Sequence, residues 1–347
     1  MFPEIEALMT AQAGVFSAAQ AASLGVTAQD LHVGKRSKRL HVVRRGIYTS
    51  AQRLEAADGA ARHLIDAAGG LLARDALRAD PDGTGRRLAV GHLSAALLWG
   101  LPAPRPPLVV AGSDDRLGHK AITVVGNQPA RVVDLIDANR HQRSYAWGMH
   151  VHPADLPPSD VTLHKLIPCT TLARTAVDVA RSLDPEGAIA ALDYVLRLGV
   201  SRSELSAVLE RHRGWPGVRQ AERLIAFADP RAESPAESVA RWILAELGFP
   251  APELQVDLYD ARGNWIARVD KLFRAERTVV EVDGKIKFTD PKIDPREALW
   301  EEKLREDKIR EAGWQVVRLT WGHLRGSREE LRARMLGAFA LGARATA

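Results

Sequence analysis

The chain has 347 residues, 46% hydrophobic and 26% charged, with a net charge of +5. That length allows two or three domains with their own cores, and that balance excludes an intrinsically disordered chain. A single cysteine, Cys169, excludes an intrachain disulfide framework and any cysteine-based zinc cluster, so a reducing, cytoplasmic setting is the simplest expectation.

The opening MFPEIEALMT carries Glu4 and Glu6 and lacks an apolar run behind basic residues, so it does not read as a signal peptide. No apolar run reaches the roughly 18 residues that span a bilayer, and no membrane partner is expected. Residues 3–50 predict three short helices and a hairpin. The first helix covers Pro3 to Ala11, with Ile5, Leu8 and Met9 on one side. Ser17 to Gln20 is a capping-box pattern opening the second helix, with Gly25 placed to end it. Thr27 to Asp30 resembles another helix start, and two helices joined by a tight Gly-containing turn form a helix-turn-helix. LHVVRRGIYTS then gives two short strands around Arg44-Arg45-Gly46, a β-wing. Between Leu31 and Ser50 stand Lys35, Arg36, Lys38, Arg39, Arg44 and Arg45, with no acidic residue. Such a run either solvates a small helical domain or neutralises phosphates, and its agreement with helix spacing and wing favours double-stranded DNA as partner. Thr27, Gln29, His32 and Lys35 suit the major groove, and Arg44 and Arg45 suit the backbone or minor groove.

Gly14-Val15-Phe16, Ala18 to Gly25 and Arg44 to Tyr48 resemble the N-terminal winged-helix domain of the abortive-infection (type IV toxin–antitoxin) antitoxins. The resemblance implies a DNA-binding domain that represses its own operon in phage defence, with a cognate toxin protein as a further partner.

Residues 55–228 read as a mainly helical connector or interaction region. A helical pattern runs from Leu54 to Leu77, followed by a break rich in Pro, Gly and Asp over residues 80–85. His92–Trp99 predicts a helix ending at Gly100, and short β-like segments cover Leu108–Ala111, Ile122–Val125 and Met149–His152. His92, His150, His152 and His164 invite a metal reading. The close pair His150/His152 has no carboxylate at ligand spacing, so structural or surface roles are expected. The run Thr170 to Asp178, TTLARTAVD, resembles a segment of the same antitoxin-like proteins, with no chemistry assigned to it.

Asp229 to Glu233, polar and Pro-containing, marks a boundary and opens a third domain, residues 229–347, making domains of 1–54, 55–228 and 229–347. Its expected order is helix, strand, strand, helix, strand. Ser234-Pro-Ala-Glu237 starts a helix with Ala236, Ala240, Ile243 and Leu247 as its apolar stripe, ended by Gly248. Strands Ile266–Phe273 and Thr278–Phe288 flank Arg274-Ala-Glu-Arg277. Symmetric pairing about that connector sets Asp270 opposite Glu281, roughly 5 Å apart at Cβ. The period-2 rule puts Glu281, Asp283, Lys285 and Lys287 on one face and Val280, Val282, Ile286 and Phe288 on the other. Opposed acids repel unless a cation or proton intervenes. They are either a divalent metal site or surface carboxylates balanced by Arg268 and Arg277. Asp294 to Ala312 predicts a charged helix, and Gln315–Trp321 a final strand.

Glu237-Ser238, Arg268-Val-Asp270, Val279 to Gly284, Lys303 to Asp307 and Gly313 to Arg318 resemble, in order, the very-short-patch-repair-like branch of the PD-(D/E)XK endonucleases. The resemblance implies an α/β nuclease domain. Mg²⁺, with Mn²⁺ as an alternative, would be held there by Asp270, Glu281 and the Val282 carbonyl. Glu237 completes that site or orients a water, unless it is only a capping glutamate. Asp283 stands where the superfamily has its catalytic lysine. Lys285, about 13 Å from Glu281 on a straight strand, and Lys303 on the next helix compete to replace it. Phosphate contact is the alternative role for both, and for Lys287. Arg305 and Asp307 would buttress the site or simply form i,i+4 pairs on a solvated helix. The expected whole is a multidomain α+β protein: winged helix-turn-helix, helical middle region and nuclease-like domain. It is expected to act as a metal-dependent DNA endonuclease. The competing expectation is an antitoxin-like regulator whose nuclease fold is inactive and serves for docking.

Overall fold

A computed structural model describes residues 3–74, 88–102, 132–146, 148–283 and 295–344. The fold is mixed α+β, with three sheets among these residues, and the chain divides into two compact units. One holds residues 1–182 and 200–221, the other residues 183–199 and 222–347. Composition placed breaks after residues 54 and 228. The first break does not separate a unit, because Val15 and Ile47 share a core with Ile65, Leu71, Leu135 and Val151.

The first unit opens with α1 (Pro3–Ala11), β1 (Phe16–Ser17), α2 (Ala18–Ser23), α3 (Ala28–Arg36), β2 (Leu40–Arg44) and β3 (Ile47–Ser50). The two capping boxes form as their spacing predicts, at Ser17/Gln20 and Thr27/Asp30. The short β1 escaped the sequence pattern. It pairs with β3, giving the sheet order β1-β3-β2. Gly34 is required where α3 meets β2, since a Cβ there would lie 2.7 Å from Leu40 Cδ1. α4 (Ala51–Ala56) and α5 (Gly59–Leu72) follow, split by the Asp58 cap where one continuous helix was expected.

β4 (Leu88–Val90), α6 (His92–Leu98), β5 (Val133–Asp137), β6 (Ser144–Ala146), β7 (Met149–Pro153), β8 (Val161–His164) and β9 (Ile167–Thr170) come next. The expected break at residues 80–85 and the β-like segments 108–111 and 122–125 lie outside the described residues. The strands assemble into a six-stranded sheet, β6-β7-β5-β4-β9-β8, so the middle region has a sheet-based core rather than only a helical one. β4 and β9, and β5 and β7, run parallel. α7 (Leu172–Ser182) covers residues of the TTLARTAVD run and presents Arg174, wholly buried, to Asp178 at 2.9 Å and Asp160 at 2.8 Å. Asp160 also pairs with Arg211, and Asp178 with Arg181. The Trp215 ring lies under the Arg174 and Arg181 guanidinium groups. The run is thus the centre of a buried ion network.

Past α8 (Pro185–Arg197), α9 (Arg202–Arg211) and α10 (Val218–Phe227), the second unit is completed by α11 (Pro235–Glu246), β10 (Glu253–Tyr259), β11 (Trp265–Phe273), β12 (Thr278–Asp283), α12 (Pro295–Glu311), β13 (Gln315–Thr320), α13 (Trp321–Arg325) and α14 (Arg328–Arg344). Its sheet order is β10-β11-β12-β13; β12 and β13 are parallel and the other pairs antiparallel. β10, which the expected order lacks, alternates Leu254, Val256 and Leu258 with polar residues, and its Gln255 takes a left-handed φ of +54°. Trp321 begins α13 rather than ending the strand. β12 is buried on both sides: Val280 and Val282 pack with Ala240, Ile243 and Leu319, whereas Val279 packs with Leu272 and Ile309. The expectation of one apolar and one polar face fails here because α12 covers the side that bears Glu281. No helix of the described residues is long and apolar enough to cross a membrane.

Candidate active site

The β11–β12 hairpin has the register set by its four-residue connector, with Lys271 opposite Val280, Leu272 opposite Val279 and Phe273 opposite Thr278. Beyond Lys271 the ladder gives way. The Asp270 carboxylate accepts a hydrogen bond from the Val282 amide at 2.9 Å, taking the place of a backbone partner. Glu281 is buried, and its Oε1 has no hydrogen-bond partner among the described residues. Burial, and then the charge of Asp270, push its carboxyl up to about 7, against a partial offset from Arg305. Arg305 reaches over from α12 to Glu281 Oε2 at 3.3 Å, to Glu302 at 2.9 Å and to the Arg268 carbonyl at 3.2 Å.

Glu237 is not a simple capping glutamate. Ser234 caps α11 by accepting from the Glu237 amide, but the Glu237 carboxylate accepts from the Glu233 amide at 2.9 Å and from Gln255 Nε2 at 3.0 Å. Gln255 on β10 thereby reaches the site. Lys271 was not anticipated. It is 1% exposed, and burial lowers its ammonium to about 8 despite the opposing charges of Glu237, Asp270 and Glu281. The signal for it in the sequence was its place on the face of the strand that also carries Ala267, Val269 and Phe273.

Other predicted residues lie elsewhere. Asp283, at the motif-lysine position, pairs with Arg318 at 3.5 Å, and Arg318 binds Glu302 and Glu306 on α12. Lys303 is exposed beside the Trp300 ring, and Asp307 is exposed, so neither joins Glu281. Lys285 and Lys287 lie outside the described residues. Arg277 does not balance the acids: it donates to the Ala312 and Gly313 carbonyls at the end of α12. Arg268 is exposed and donates to Gln255 Oε1 at 3.2 Å. In the first unit Thr27, Gln29, His32, Lys35, Arg36, Lys38, Arg39 and Arg45 are exposed. Arg44 is turned inward instead, donating to the Asp66 carbonyl at 3.3 Å.

The residues of the second-unit site fit a divalent cation. An orphaned buried carboxylate oxygen beside a second carboxylate, each already tethered by one neighbour, is a hard-oxygen donor set of the kind Mg²⁺ takes. Without such an ion the pair opposes folding. A carboxyl raised from its ordinary 4.5 to about 7 contributes stability that is present below the lower value and lost as pH rises through the upper one. We expect Glu281→Gln, freed of divalent ions, to exceed the wild type by about 2–3 kcal/mol above neutral pH, with no gain in acid. Urea denaturation at the two pH values measures this; a gain that does not depend on pH would show that Glu281 is not the titrating group.

No protein-family profile matches the chain. It is 36% identical over 167 residues to two curated relatives from Mycobacterium tuberculosis, uncharacterized protein MT2308 of strain CDC 1551 / Oshkosh and uncharacterized protein Rv2248 of strain ATCC 25618 / H37Rv. The match takes in 48% of this chain, and the chain spans 59% of the length of each relative.

Proposed function

We propose that this protein binds DNA through an N-terminal winged helix and hydrolyses DNA phosphodiester bonds with a Mg²⁺-dependent PD-(D/E)XK-type domain in its second unit. The observation that carries the reading is the buried Glu281 oxygen without a partner, set beside Asp270 and close to the electrostatic reach of Lys271. The order α11-β10-β11-β12-α12-β13, with α12 crossing to a parallel strand, matches the core layout of that superfamily. Mg²⁺, or Mn²⁺, would be held by Asp270, Glu281 and the Val282 carbonyl. When bound, the ion polarises the scissile phosphate and makes water a stronger nucleophile. Asp270 is oriented by the Val282 amide, and Glu237 is held by Gln255 and the Glu233 amide. Lys271, on the α11 side of the sheet and within electrostatic reach of Asp270 and Glu281, is the candidate proton acceptor in place of the lysine missing at Asp283. Incubation of supercoiled duplex DNA with Mg²⁺ and with Asp270, Glu281 and Lys271 variants tests the reading.

The sequence of elements α1-β1-α2-α3-β2-β3, with eight of the nine candidate contact residues exposed, supports duplex DNA as the partner of the first unit. Replacing Lys35 and Arg36 by Ala is expected to weaken duplex binding and to lower the slope of log affinity against log salt by about one per residue removed. Arg44→Ala, which releases the Asp66 carbonyl instead, is expected to leave that slope unchanged. Fluorescence anisotropy over a salt series reads both; an equal change of slope in the two would relocate the contact.

A second reading has its own observations: Asp283 is engaged by Arg318, and Arg305 already supplies Glu281 with a positive charge. On that reading the protein is an antitoxin-like regulator whose nuclease fold docks a partner such as a toxin protein. Intact duplex binding by a protein that leaves DNA uncut with either cation would favour it.

A further inference from the structure

The first unit holds a different donor set. β5 and β7 run parallel with Asp134 beside His150 and Ile136 beside His152. Period 2 puts both imidazoles on one face of the sheet, and the register puts Asp134 on the same face. Asp134 Oδ1 lies 3.3 Å from His150 Nδ1 and 2.9 Å from His152 Nε2. All three potential ligand atoms fall within 4.8 Å of one another. The carboxylate that spacing along the chain did not supply thus arrives from the neighbouring strand, which corrects the expectation that the His150/His152 pair has no acidic companion.

Bonds of about 2.0–2.1 Å to a first-row divalent ion place ligand atoms about 2.8–3.4 Å apart between octahedral and tetrahedral angles, and the two separations from Asp134 Oδ1 lie in that span, the shorter being also a hydrogen-bond distance. Two imidazole nitrogens converge on a single carboxylate oxygen of Asp134. A third, His92, stacks on His152 with ring centroids 3.9 Å apart, held there by a left-handed backbone at φ +47°. His63, 5% exposed, has an Nε2 with no hydrogen-bond partner among the described residues and lies within electrostatic reach of Asp134. Ser94 Oγ accepts the Asp134 amide at 2.7 Å and fixes that strand position. The His150 side chain is 32% exposed, so solvent reaches the cluster.

We propose that Asp134, His150 and His152 form a binding site for a first-row divalent transition metal, Zn²⁺ being the ion its two nitrogens and one oxygen suit best. Imidazole donors distinguish it from the all-oxygen set at Asp270 and Glu281, which suits Mg²⁺. Three protein ligands leave at least one position open for water or for an oxygen ligand. The site does not depend on the nuclease reading.

The test uses the untagged full-length chain, stripped with a chelator and titrated with Zn²⁺ or Co²⁺. With millimolar Mg²⁺ present to occupy the carboxylate site, one equivalent is expected to bind, with Co²⁺ giving visible ligand-field bands. His150→Gln and His152→Gln should each weaken binding at least about 100-fold, whereas a chain carrying Asp270→Ala and Glu281→Ala should keep both the stoichiometry and the bands. X-ray absorption at the zinc edge of the wild type needs no variant to fold, and should show imidazole scattering from two ligands at about 2.0–2.1 Å. Absence of wild-type binding at micromolar Zn²⁺, full affinity in His152→Gln, or an edge spectrum without imidazole would each overturn the proposal.

Discussion

Asp270→Ala and Glu281→Ala are each expected to lower Mg²⁺-dependent cleavage of duplex DNA by at least about 10³-fold, equivalent to about 4 kcal/mol of transition-state stabilisation. Asp270 is tied to the Val282 amide, and Glu281 presents its free oxygen from a buried strand. Lys271→Met separates proton transfer from cation binding. It removes a buried ammonium without leaving a cavity, so the fold should persist. If Lys271 takes the proton, the wild-type rate rises with pH as its amine becomes neutral and levels above about 8. The Met variant should be slow at every pH and lack that limb, while Mg²⁺ affinity is retained. A Met variant that keeps the alkaline rise would exclude Lys271 as proton acceptor. Equal cleavage by wild type and both carboxylate variants would identify a contaminating nuclease and remove the mechanism.

Arg174→Ala is expected to destabilise the first unit by about 3–5 kcal/mol, because it leaves two buried carboxylates short of a partner. Arg174 is completely inaccessible and donates to Asp178, Asp160 and the Asp155 carbonyl. Arg211 and Arg181 remain on the two acids after the substitution, which keeps the loss from growing further. Arg174→Lys should recover little, since one ammonium cannot span the separate acceptors that the guanidinium fork reaches. Asp178 is held below the usual carboxylate range even though burial opposes it, with His92 and Arg174 supplying the main counter-charges. A carboxyl depressed in this way adds stability above its unfolded value that is lost as the pH falls through the folded one. Chemical denaturation of the variants measures the loss; a change under about 1 kcal/mol for Arg174→Ala would mean the network does not hold the unit together.

Much of the short-range structure was legible in the residues. The Ser17/Gln20 and Thr27/Asp30 boxes, the Ser234 cap and the glycine stops at Gly25, Gly100 and Gly248 all depend on groups within a few positions of each other. The β11–β12 register followed from a four-residue connector for the same reason. Failures came at two strands: two-residue β1 is too short to show alternation, and β10 was overlooked although Leu254, Val256 and Leu258 alternate with polar residues.

The chain's own order of residues determined the caps and the register of the hairpin, because backbone hydrogen bonds closed over a few residues set those features. Tertiary structure alone decided that Lys271 is sealed beside Glu237, that Arg44 turns to Asp66, and that Asp134 meets His150 and His152. Those encounters join positions from separate strands and helices, and whether a side chain meets solvent or a partner there depends on which element packs over it.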